Sequence, residues 1–81
     1  MPTAYVLVYC ELGYEDIIID ELKAMPQTIE ASKIYGSSYD IIAKFTAEPT
    51  EKLRKVISCI RRIEKVKATQ TMMVIEGQEE R

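Results

Sequence analysis

Leu53, Val56, Ile57, Ile60 and Ile63 fall at i, i+3, i+4, i+7 and i+10, an unbroken helical stripe, and on both sides of it the apolar residues run with the period of strands. This change of period occurs twice along an 81-residue chain, and it constrains the fold more than any other feature. Residues 4–10, Ala-Tyr-Val-Leu-Val-Tyr-Cys, are β-branched and aromatic, lie between Pro2 and Gly13, and predict a first strand. From about residue 14 to 25 the period lengthens. Ile18, Leu22 and Met25 share one helix face, Glu15 and Asp16 suit the positive end of the helix dipole, and Pro26 ends the helix.

Two shorter strands are predicted over residues 28–35 and 40–45, joined by Gly36-Ser37-Ser38-Tyr39, a hairpin signal. Pro49 and Thr50 open the second helix, and residues 69–75 read as a last strand ahead of a polar tail at 78–81. Residues 1–77 are thus expected to form one domain. The order strand, helix, strand, strand, helix, strand predicts an α+β, ferredoxin-like βαββαβ fold: a four-stranded antiparallel sheet with both helices on one face.

Alternation splits each strand into two sets of side chains. Ala4, Val6, Val8 and Cys10 oppose Tyr5, Leu7 and Tyr9; Ile41, Ala43 and Phe45 oppose Ile42, Lys44 and Thr46; Thr71, Met73 and Ile75 oppose Gln70, Met72 and Val74. Both sets carry apolar groups, whereas a sheet with one solvated face should alternate apolar with polar. Two helices cover one face only. The other is expected to meet a second copy sheet to sheet, with Tyr5, Leu7, Tyr9, Ile42, Met72 and Val74 as the interface candidates. A domain of this size buries little surface by itself, which also favours self-association.

Composition narrows the chemistry. The chain has no His, no Trp and no Asn, so imidazole bases and the usual triads are excluded. Cys10 and Cys59 supply neither a four-ligand zinc set nor a disulfide framework, and both are expected as small core residues. No catalytic residue, metal set or cofactor is expected. The longest apolar run is the seven residues 4–10, too short to span a membrane, and a cytoplasmic, soluble domain is expected. Residues 52–67 hold seven of the eleven basic groups against the single acid Glu64, while the first 51 residues hold nine acids and three bases. With a net charge of −2 and no DNA-reading motif, the basic segment reads as a solvated helix face or as one that meets an acidic neighbour, and direct DNA binding is not expected.

The stretch Tyr35-Gly36-Ser37-Ser38-Tyr39-Asp40-Ile41-Ile42-Ala43-Lys44-Phe45 resembles the GxYD hairpin and following strand of the Lrp/AsnC effector-binding, or RAM, domain. Thr3-Ala4-Tyr5-Val6-Leu7-Val8 is similar to that family's opening strand. Ala24-Met25-Pro26 with Ile29-Glu30-Ala31 resembles its helix end and second strand, and residues 66–75 its closing strand. The hairpin is one residue longer than Gly-x-Tyr-Asp, and Pro26-Gln27 and Glu64-Lys65 stand where the family commonly has Pro-Gly.

The resemblance implies a dimeric sandwich that assembles further, and an amino acid or related effector bound at a subunit interface near the hairpin and the last strand. It also implies a stand-alone module lacking the helix-turn-helix of most members, with full-length Lrp-type regulators as candidate partners. Gly36, Ser37, Ser38, Tyr39, Asp40, Thr69, Gln70 and Thr71 are then the ligand-site candidates. Backbone amides, Ser37 and Ser38 would hold a carboxylate, and Asp40 an ammonium group. The competing reading of the same residues is an ordinary hairpin in which Asp40 bonds its own turn. A ligand-free oligomerisation scaffold and a cofactor-free dimeric α/β-barrel enzyme remain the alternative functions.

Overall fold

The computed structural model describes residues 2–75. Strand β1 is Thr3–Cys10, helix α1 Glu15–Lys23, β2 Thr28–Lys33, β3 Ile41–Thr46, α2 Thr50–Arg61 and β4 Val66–Met73. All pairings are antiparallel and the sheet order is β2-β3-β1-β4, so β1 and β3 are central. The βαββαβ order and the four-stranded sheet agree with the expectation.

The helices lie over the face that carries Ala4, Val6, Val8 and Cys10 of β1 and Ile41, Ala43 and Phe45 of β3. Onto these pack Ile18, Ile19 and Leu22 from α1 and Leu53, Val56, Ile57 and Ile60 from α2. α1 sits on β2 and β3, and α2 on β4 and β1. Ala4, Ala31 and Ala43 keep that face low enough for the helices to approach closely.

Several element ends differ from the expected ones for local reasons. α1 stops at Lys23, where Ala24 N–H donates to Asp20 O and Met25 N–H to Leu22 O, a closing turn ahead of Pro26. β4 starts at Val66 rather than residue 69. The turn before it is closed by Lys65 at φ 79°, the left-handed region that glycine favours, and Lys65 O accepts Glu11 N–H at 2.9 Å. β4 then pairs along β1 through a bulge at Tyr9/Cys10.

Cys59 corrects an expectation. It is exposed, because it lies off the stripe defined by Leu53, Val56, Ile57 and Ile60, whereas Cys10 is buried as expected. Among the described residues, no helix is long and apolar enough to cross a membrane.

Candidate functional site

The open face of the sheet follows from the register. Tyr5 lies opposite Lys44 and Met72, Leu7 opposite Ile42 and Gln70, and Tyr9 opposite Ala68, all on the side away from the helices. Tyr9 (42% exposed) and Met72 (41%) are large apolar groups left to solvent in a single chain, and Val74 is exposed just beyond β4. Lys44 Nζ sits 5.6 Å from the Tyr5 ring centroid and Lys67 Nζ 5.7 Å from that of Tyr9, so the lysine stems cover part of the patch.

At one corner of this face the 34–40 segment folds over the sheet. Gly36 takes φ 101°, a conformation that L side chains rarely adopt, although a Cβ there would meet nothing. Ser37 Oγ then accepts Tyr39 N–H at 3.0 Å, closing a serine turn. Ile34 N–H donates to Asp40 O at 2.9 Å across the base of the loop. Tyr39 reaches β4, its hydroxyl donating to Gln70 Oε1 at 3.1 Å. Between loop and sheet is a cleft of about 330 Å³ lined by Tyr9, Ser38, Tyr39 and Ala68. That volume lies within the range of small-ligand sites.

Asp40 does not bond its own turn through its side chain. Its N–H donates to Val8 O at 2.8 Å, and its carboxylate oxygen Oδ2 accepts Cys10 N–H at 3.1 Å, so both ends of the residue are fastened to β1. The carboxylate lies beside the buried Cys10 thiol, and Asp40 is not among the residues lining the cleft. Burial pushes the thiol up from 9.0 to about 11; the Asp40 and Glu15 carboxylates push the same way and Lys67 opposes them.

The structure therefore brings Ser38, Tyr39 and Gln70 together with Tyr9, which the sequence had marked only for packing or the interface, and with Ala68, which it had not marked. Thr69 and Thr71 pair with Val8 and Val6 on the opposite, helix-covered side of β4. There Thr69 lines a second cleft with Arg61 and Lys67, and Thr71 lies beside Arg54 and Arg61 with its Oγ1 buried and without a hydrogen-bond partner. Alternation within the last strand was the signal that separates Gln70 from its two threonine neighbours.

The fold and site define a class: a ferredoxin-like α+β domain with an uncovered apolar sheet face and a small cleft at its corner. The sequence model of the Lrp/AsnC ligand binding domain matches residues 3–80, and the chain belongs to that family. Two solved structures of similar length agree over nearly all of it. FFRP-DM1 is 34% identical with a TM-score of 0.87, covering 93% of this chain and 100% of that one. The hypothetical protein PHS023 from Pyrococcus horikoshii is 34% identical with a TM-score of 0.86, covering 93% and 90%. AsnC of Escherichia coli shares the fold at 19% identity and a TM-score of 0.83, with this chain spanning 95% of its own length and 52% of AsnC. A search of curated proteins found no match.

Proposed function

We propose that this chain is an effector-binding and oligomerisation module, which takes an amino acid or closely related metabolite in the cleft beneath the 34–40 loop. Dimerisation of two copies through their open sheet faces completes the module. The observation that carries the reading is the cleft's position. Tyr9 and Ala68 belong to the uncovered face, so a subunit seated on that face also walls the cleft. A ligand held there touches two chains and favours the assembly that builds its site.

Ser38, which lines the cleft, and the Gln70 amide behind the Tyr39 hydroxyl suit a carboxylate, while the Tyr9 and Tyr39 rings suit an aliphatic or aromatic side chain. Gly36, Ser37 and Asp40 shape and anchor the loop. Thr69 and Thr71 act only through the backbone of β4. Acting in the cytoplasm, the module would change the assembly of Lrp-type transcription regulators by mixing into their oligomers.

The test is a thermal melt against the common amino acids and their keto acids, with light scattering on the same samples. A ligand at ~100 times its dissociation constant adds about 2.7 kcal/mol, several degrees for a domain this small. A shift confined to one chemical class, and abolished by Ser38→Ala with Gln70→Ala, supports the reading. A flat panel with an unchanged oligomer favours the ligand-free scaffold.

A further inference from the structure

We propose that Cys10, Glu15 and Asp40 form a three-donor site for a borderline divalent cation of the Zn²⁺ or Co²⁺ kind, at the end of the sheet beside the effector loop. The three residues come from separate elements: the last position of β1, the first of α1, and the position before β3. The Cys10 Sγ and one carboxylate oxygen from each acid all lie within 4.8 Å of one another. The thiol is buried at 3% exposure while both acids reach solvent, so the donor set is enclosed on one side and open for entry on the other.

Two further features distinguish this group from a chance meeting of surface acids. Each carboxylate is oriented by a backbone amide: Asp40 Oδ2 accepts Cys10 N–H at 3.1 Å, and Glu15 Oε1 accepts Gly13 N–H at 3.1 Å. Such bonds aim a ligating carboxylate, and the Cys10 S–H, which bonds the Asp40 carboxylate in the metal-free chain, gives up its proton when the ion binds. In addition, neither acid has a basic partner within salt-bridge distance among the described residues, where the ion pair present is Lys33–Asp16. Lys67 acts on the Cys10 thiol from a distance but forms no ion pair with either acid.

The donor chemistry selects the metal. One soft sulfur among hard oxygens suits Zn²⁺ or Co²⁺ and disfavours Mg²⁺ and Ca²⁺, which take oxygen-only shells. Three protein ligands leave a fourth tetrahedral position for water or a ligand atom. Binding breaks the S–H bond, forms a metal–sulfur bond and releases the proton to solvent, with no change of oxidation state. The ion would tie β1, α1 and the 34–40 loop together at one point. This site does not depend on the effector reading, since Asp40 is turned away from the cleft.

The experiment is a Co²⁺ titration of the chelator-treated full chain, followed by absorption. A thiolate-to-cobalt charge-transfer band with the intense visible bands of tetrahedral cobalt, saturating at one ion per chain, is the expected result. Cys10→Ser should abolish the charge-transfer band, Glu15→Gln and Asp40→Asn should each weaken binding about tenfold or more, and Cys59→Ser should change nothing. Zn²⁺ should displace the cobalt and millimolar Mg²⁺ should not. Absence of the band in the wild-type chain overturns the proposal without reference to any variant's folding. So does a band that survives Cys10→Ser and disappears with the exposed Cys59.

Discussion

The Tyr39 hydroxyl donates to Gln70 Oε1 at 3.1 Å, joining the 34–40 loop to edge strand β4 across 31 positions of sequence. The pair is exposed, so its net worth to stability is small, about 0.5–1 kcal/mol. A double-mutant cycle of Tyr39→Phe and Gln70→Ala in urea should return a coupling of that size. In the amino-acid melt either single variant should reduce the ligand-induced shift by more than it changes the unliganded midpoint. Equal losses in both measurements would make the pair a structural latch only.

Leu7 and Ile42 face each other on β1 and β3 on the uncovered side of the sheet. Leu7→Asp or Ile42→Asp places a charge in the middle of the proposed dimer face. Light scattering at micromolar concentration should report a dimer or larger species for the wild type and a monomer for either variant. A wild-type monomer would remove the argument that both sheet faces need a cover.

Phe45 is fully buried on the helix-covered face, opposite Ala4. Phe45→Ala should cost about 3–5 kcal/mol, enough to unfold much of a domain this small. Phe45→Leu should lower the urea midpoint while leaving the denaturant slope unchanged. A negligible effect would contradict the assignment of the core.

Burial holds the Cys10 thiol at about 11 against an ordinary 9.0. The folded chain therefore keeps this proton over an interval in which the unfolded chain has lost it. Stability from this group is complete below pH 9.0 and falls as pH rises toward 11. The total is at most about 3 kcal/mol. Melts in chelator from pH 8 to 11 should fall more steeply for the wild type than for Cys10→Ala, the difference isolating this thiol. Parallel curves would remove the role of burial.

Asp40→Ala leaves the Cys10 N–H without its acceptor, whereas Asp40→Asn retains one. The alanine variant should lose about 1–3 kcal/mol and the asparagine variant less. Light scattering should show both variants still dimeric, since Asp40 fastens the loop and does not lie on the open face.

The order of elements was legible because apolar period is a local property. The stripe through Leu53, Val56, Ile57 and Ile60 and the alternation through Ala4, Val6 and Val8 need no knowledge of the rest of the chain. The position of Cys59 off that stripe was legible too, although it was read as core. Alternation alone missed the start of β4 at Val66, because it follows side chains and not the turn; the resemblance pointed there, with Lys65 in the left-handed conformation standing where the family commonly has glycine. Half of the candidate site was readable from the Tyr39-Asp40 motif. The rest was not, because Tyr9 and Ala68 meet Ser38 only once β1 and β4 have paired.

Alternation along each strand determined, from the sequence alone, that Tyr5, Leu7 and Tyr9 share one face and Val6, Val8 and Cys10 the other. Only the tertiary structure decided which face the helices cover. Both sets are apolar, and a register shift of one residue exchanges them. It also decided that Asp40 turns to Cys10 and Glu15 rather than into the cleft. Those residues are 30 and 25 positions away, and nothing local to the hairpin records where the end of β1 and the first turn of α1 will lie.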